Sequence, residues 1–190
     1  MSEHSEQGEA FASPSDERPV ADQSVVIKPI SEILVSWGFK RLGKRKWYRE
    51  TAEIGQLIEL YRFRFNPRYR LGIRGRPLHL NVPPPPGYIG YPFRPNLEDT
   101  RDDGTEFMRA LNLEEVFSPE AERAAIIKKV LTGPVEECLN DFSMIEDILR
   151  VWRIGKNFGK MHISPYILPH LGEEEPPFID DLKPGRRSHP

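Results

Sequence analysis

The sequence predicts an α+β fold: a small antiparallel sheet of three to four strands with helices packed on one of its faces. Two patterns predict it. Through EIGQLIELYRFRFN (53–66) and again through YRLGIRG (69–75), apolar and polar residues alternate with the period of two that a strand requires. On either side of that block the period becomes helical. Ile30, Ile33, Leu34 and Trp37 fall at i, i+3, i+4 and i+7, as do Ile145, Ile148, Leu149 and Trp152. A block of strands flanked by helices is the order of an α+β protein, not of an alternating α/β one.

Each element follows from local chemistry. Residues 1–23 are rich in Ser, Glu, Asp, Pro and Gln and are expected to be a disordered N-terminal tail, since they bury too little to offset ordering entropy. Structure is expected from Ser24, with Pro29 in a first helical turn and Gly38 as the stop. GFKRLGKRKWYRE (38–50) reads as a basic loop followed by a strand that carries Trp47 and Tyr48. In 53–66 the odd positions Leu57, Tyr61, Phe63 and Phe65 are assigned to the core. To share a side with Leu71 and Ile73 they require an odd hairpin loop, set at three residues. That register opposes Phe65 to Tyr69 and Phe63 to Leu71, and it gathers Arg62, Arg64, Arg70 and Arg74 on the opposite face. A fourth strand is assigned to 78–82.

LNVPPPPGYIGYPFRPN (80–96) is too rich in proline for a helix or a central strand and reads as an extended crossover. LEDTRDDG (97–104) reads as an acidic loop. Thr105 caps a short helix, and Ser118 with Pro119, Glu120 and Glu122 starts a longer one. Gly133 and Pro134 punctuate that helix, and Ser143 caps the last. The expected core is Ile33, Leu34, Trp37, Phe39, Trp47, Leu57, Tyr61, Phe63, Leu71, Ile73, Ile127, Leu131, Ile145, Leu149 and Trp152. The organisation is therefore a tail (1–23), one α+β domain (24–160) and a C-terminal tail (161–190).

Composition narrows the function classes. In 190 residues, 27 Lys/Arg against 29 Asp/Glu leave a net charge of −2, with no overall pull toward nucleic acid or anionic lipid. The single cysteine, Cys138, excludes an intramolecular disulfide and reads as a small core residue. The acidic, polar opening MSEHSEQGEA is no signal peptide, and no apolar run approaches a membrane span, so a cytoplasmic location is expected. His162 and His170, eight apart in a Pro-rich segment, lack metal-ligand spacing; no metal and no cofactor is expected. Asp102, Asp103 and Glu106, and Glu136, Glu137 and Asp141, read as solvated faces, since no apolar pocket is evident to shift a carboxyl. PPGY (85–88) has the form that WW-type domains bind, but a rigid crossover explains it more simply. GIRG (72–75) is too sparse for a phosphate loop.

Charge is divided along the chain. Residues 28–76 hold 13 Lys/Arg and 4 Asp/Glu, a net of +9; residues 97–150 hold 6 and 14, a net of −8. Mutual neutralisation of the two halves is one reading. The other is a basic surface for an acidic partner, and the four arginines assigned to one sheet face favour it, because like charges crowded on a sheet cost stability unless acids lie over them.

One run of segments resembles a known family. A helix leads to GFK and basic residues, then WYRE, then IELYRFRFN, then a strand with LGI, and the run closes with GPVEECLNDFSMIEDIL. This is similar to a bacterial family classed only as a domain of unknown function, over about residues 30–155. The resemblance implies an antiparallel sheet with helices against it. It implies no activity and no catalytic residue.

The leading expectation is a non-enzymatic protein-binding module, an immunity-type or regulatory inhibitor. Its partner would be another protein with an acidic surface, and its candidate binding residues are Arg62, Arg64, Arg70 and Arg74. The second is a nucleic-acid-associated protein that uses the same arginines with Tyr69 or Trp47 as a stacking group. The third is an enzyme without a recognisable motif.

Overall fold

The computed structural model of the chain describes residues 20–86, 90–97, 105–155 and 161–174. Helix α1 (Ser24–Ser36) begins at Ser24, whose N–H donates to the Asp22 carboxylate at 2.7 Å, so Pro29 lies inside the helix and not in its first turn. The hydroxyl and N–H of Ser24 together hold the Asp22 carboxyl below its ordinary range. Gly38 ends the helix as expected, with φ at 83°. The basic stretch that follows is a hairpin, β1 (Lys40–Gly43) and β2 (Lys46–Glu50), where a loop and one strand were expected.

The sheet has six strands, not three or four, and each lies beside its sequence neighbours in antiparallel order. After β2 come β3 (Ile54–Arg62), β4 (Tyr69–Pro77), β5 (Phe93–Pro95) and β6 (Met161–Ile163). Beside β1, two further unexpected strands come from segments assigned elsewhere. Residues 78–82 form no strand; β5 arises from the end of the Pro-rich crossover, where Phe93 pairs with Gly75. Residues 161–174, expected to begin a tail, pair β6 with β5 and continue into a 3-10 helix (Pro165–Leu171) that buries Ile167 and Leu168.

The central hairpin has the opposite face inward. Arg62 pairs with Tyr69, Leu60 with Leu71, Ile58 with Ile73 and Gln56 with Gly75. The loop is six residues long (63–68), an even number, and this parity sets the faces. Ile54, Gln56, Ile58 and Leu60 point into the core, and the odd positions of β3 point out. Of the expected core, Leu34, Phe39, Trp47, Leu71, Ile73, Ile127, Leu131, Leu149 and Trp152 are buried, and Ile33, Trp37 and Ile145 are partly so. Tyr61 and Phe63 are half-buried on the other face, and Leu57 is buried there.

Helices α2 (Glu106–Ala110), α3 (Glu120–Val130), α4 (Glu136–Asp141) and α5 (Ile145–Gly155) follow the crossover. Thr105 caps α2 as expected, accepting from the Met108 N–H at 3.2 Å. Two other expected caps are replaced. Pro119 stands at the N-cap of α3 with no side-chain bond. At α5 the cap is tertiary: Glu53, in the β2–β3 turn, accepts from the Ile145 N–H at 2.8 Å, while Ser143 donates backward to the Asn140 carbonyl. Between α3 and α4 the chain makes one wide turn (Leu131–Val135) through Gly133 and Pro134.

Two buried polar residues fasten these layers. Gln56, fully buried, donates to the carbonyls of Leu139 and Phe142 at 2.8 and 2.7 Å and accepts from Arg49 Nε at 2.7 Å. Arg123, 1% exposed, donates to the carbonyls of Ala110, Asn112 and Glu115 and lies over the Phe117 ring at 4.6 Å. Among the described residues no helix is long and apolar enough to cross a membrane.

Two outcomes test this arrangement. Ile58→Ala is expected to lower stability by about 2–5 kcal/mol and Phe63→Ala by less than about half as much, read from urea midpoints; the reverse order would restore the inverted face. Gln56→Leu keeps the volume but orphans two carbonyls, and is expected to cost about 2–4 kcal/mol. A midpoint equal to the parent's would show that the Gln56 amide fastens nothing.

Candidate functional site: the outer face of the sheet and the β3–β4 hairpin

Strand alternation fixes what the outer face carries. Read across β2, β3 and β4, one row is Glu50, Gly55 and Arg76; the next is Tyr48, Leu57 and Arg74; the next is Lys46, Glu59 and Gly72; and Tyr61 lies beside Arg70. Lys40 of β1 pairs with Tyr48, and at the far side Arg94 of β5 pairs with His162 of β6. The four arginines of the expected face do not all share it. Arg70 and Arg74 are there, joined by Arg76 and Arg94. Arg62 lies opposite Tyr69 at the exposed end of β3, and Arg64 is exposed in the hairpin loop. Tyr69 and Trp47, the expected stacking groups, are buried on the inner side; Trp47 donates to Ser31 Oγ at 3.2 Å.

The aromatic residues of the outer face are instead Tyr48, Tyr61 and Tyr91, each half-buried and each set against an arginine. Arg74 lies 5.2 Å from the centre of the Tyr61 ring, and Arg76 lies 5.6 Å from Tyr48 and 5.8 Å from Tyr91. Glycine makes this possible. The Tyr61 ring rests on Gly72 and the Tyr48 ring on Gly55, where a β-carbon would collide with the ring. The rings lie down on the sheet, and Leu57, paired with Tyr48 in the same row, is buried outside the main core.

The charge of this region is one-sided. Between Glu59 and Glu98 the sequence holds no Asp or Glu, but it holds Arg62, Arg64, Arg68, Arg70, Arg74, Arg76 and Arg94. Both outer-face carboxylates of β2 and β3 are engaged, Glu59 with Lys46 Nζ at 2.9 Å and Glu50 with the Tyr48 hydroxyl at 2.8 Å. Among the described residues, Arg62, Arg64 and Arg74 form no ion pair. The acidic helical half does not neutralise them: Glu115 faces Arg109 at 3.7 Å, Glu120 faces Arg123 at 3.2 Å and Asp147 faces Arg150 at 3.1 Å. Among the described residues, these three carboxylates pair within their own half.

Burial is the main reason the phenols resist ionisation. It pushes the Tyr61 hydroxyl up to about 12, helped by the adjacent Glu59, and it raises Tyr48. Burial, and then Asp141, push the Cys138 thiol up to about 12, in keeping with a core residue.

A cleft of about 760 Å³, bordered by Lys40, Tyr48 and Glu50 of the outer face, opens between the end of α1, the β2–β3 turn and the α4–α5 corner. Its polar groups serve the fold. Arg49 bonds Gln56 and the Trp37 carbonyl, and Thr51 bonds the carbonyls of Ile54 and Ser143. It holds one carboxylate, Glu50, and neither histidine nor cysteine. Among the described residues no three of His, Cys, Asp and Glu are grouped to hold a metal ion. Asp102, Asp103 and the end of PPGY lie outside the described residues.

No protein-family model, curated protein or solved structure matches this chain.

The Tyr61 environment makes a checkable claim. An unfolded tyrosine ionises near 10 and Tyr61 near 12, so above pH 10 the unfolded chain loses a proton that the folded one keeps, and stability falls as pH rises from 10 to 12. Absorbance titration at 295 nm should show a late-titrating phenol that disappears in Tyr61→Phe. A titration in Tyr61→Phe with the late phenol still present would place that phenol elsewhere.

Proposed function

We propose that this protein is a non-enzymatic binding module that docks an acidic surface of another protein on its outer sheet face. The observation that supports it most is the run of seven arginines without a carboxylate between Glu59 and Glu98, four of them (Arg70, Arg74, Arg76 and Arg94) on the outer face of strands whose other face is committed to the core. A protein that needed only solubility would be served by mixed charges there. Arginine adds a planar fork that pairs bidentately with carboxylate, and the tyrosine rings hold Arg74 and Arg76 in place, which reduces the side-chain entropy lost on binding. The acidic helical half repels such a partner elsewhere and so orients it. An inhibitor or immunity-type role fits this chemistry, since it requires a charged docking surface and no reacting group.

A second reading, single-stranded nucleic acid, draws support from the alternation of Tyr48, Tyr61 and Tyr91 with arginine. Against it stand the net charge of −2 and rings that already carry their own arginines.

Arg74→Glu combined with Arg76→Glu separates these readings. The double variant is expected to keep its melting temperature within a few degrees and to lose the protein that copurifies with the parent chain from its source cells; raised salt should also release that protein. Tight, salt-sensitive binding of the parent chain to oligothymidylate, lost in the double variant, would move the face to nucleic acid. Partner retention by the double variant would remove the face from the interaction.

A further inference from the structure

The hairpin that joins β3 to β4 carries the most exposed large apolar side chain among the described residues. Phe65 is 91% exposed, at the tip of a loop whose neighbours Arg62 and Arg64 are also exposed. Scattered apolar residues on a surface are ordinary, and Val116 (78% exposed) is one of them. Three features set Phe65 apart.

The loop beneath it is tied at both legs. The Phe63 N–H donates to the Arg68 carbonyl at 3.1 Å, the Leu113 N–H donates to the Pro67 carbonyl at 3.0 Å, and Arg68 forms a bridge with Asn112. The legs of the loop are therefore braced from the sheet and from the segment after α2, and a backbone already held in place loses less entropy when its tip is captured. The ring is presented by a cation, since the Arg64 guanidinium lies 5.2 Å from its centre. Finally, Arg62 and Arg64 are exposed and, among the described residues, form no ion pair, so whatever receives the ring meets these two cations beside it.

From these observations we infer that Phe65 is the anchor of the interaction: it enters an apolar pocket on the partner protein, and carboxylates on the rim of that pocket pair with Arg62 and Arg64. This rests on the protein-binding reading above and adds the shape of the partner's site. One ring flanked by two arginines suits a pocket, in which a buried aromatic anchor carries most of the binding energy inside a polar rim. It offers too little apolar area to hold a lipid surface, where stable attachment needs a broad apolar face.

The test uses the full chain and a random peptide library displayed on phage, with vesicles of phosphatidylserine and phosphatidylcholine as a second probe. Enriched peptides should place Asp or Glu on both sides of an aliphatic or aromatic residue. Synthetic copies should bind Phe65→Ala at least about ten-fold more weakly, bind Arg64→Glu more weakly as well, and bind Val116→Ala as they bind the parent. Melting temperatures of all three variants should match the parent's. Peptides without that pattern, or equal affinity for Phe65→Ala, would overturn the anchor. If those peptides are instead lost by Arg74→Glu with Arg76→Glu, the sheet-face reading stands and the hairpin tip alone is excluded. Loss in Phe65→Ala with full binding to that double variant supports the tip and removes the face. Vesicle binding that requires phosphatidylserine and Phe65 would assign the tip to a membrane and overturn the proposal.

Discussion

A buried glutamine organises this fold. Gln56 occupies an inward position of β3 where aliphatic neighbours would be ordinary, and its amide spends both faces at once. The NH2 group satisfies two carbonyls at the end of α4, which a six-residue helix could not satisfy internally. The carbonyl oxygen takes Arg49 Nε, and Arg49 in turn reaches the Trp37 carbonyl at the end of α1 and rests 4.6 Å from the Phe39 ring. One side chain thus locks the sheet to the ends of two helices. The lock requires this face of β3 to be inward, because a buried amide without these partners costs about as much as several methylenes contribute.

The outer face follows from that choice. With Ile54, Ile58 and Leu60 turned in, Tyr61 and its arginine neighbours must turn out, and glycines at 55 and 72 leave room for the tyrosine rings to lie flat. The face is then neither a second core nor a plain solvated surface. It is a basic layer on a chain whose acids all lie outside residues 60–97. Arg123 sharpens the division. It is a basic residue of the acidic half, held in the interior by three carbonyls and paired with Glu120 at 3.2 Å, so its charge is spent within that half.

The helix ends show how local signals yield to tertiary partners. Ser143 has the residue type of an N-cap, yet Glu53 caps α5 from ninety-two residues away in sequence. An ionised carboxylate at a helix N-terminus meets both the free N–H groups and the positive end of the dipole, which a serine hydroxyl meets less strongly. Thr105 keeps its expected role, accepting from the Met108 N–H.

The sequence alone determined the α+β class, the stop at Gly38, the Thr105 cap and part of the aliphatic core (Leu34, Leu71, Ile73, Ile127, Leu131 and Leu149), because each of these depends on residues within one or two turns of one another. It also showed that basic and acidic charge are segregated. What it misassigned depends on pairing at a distance. The parity of the hairpin loop decided which residues of β3 face inward, and alternation with Gln56 at a core position looked polar until the α4 carbonyls were in place. Strands β5 and β6 are three residues each, too short to carry a period, and they exist because Phe93, Met161 and Ile163 bury against a sheet edge that earlier strands provide. The membership of the arginine face changed for the same reason: residue type put arginines on these strands, but only the register, set by burial on the opposite face, decided which of them stand together.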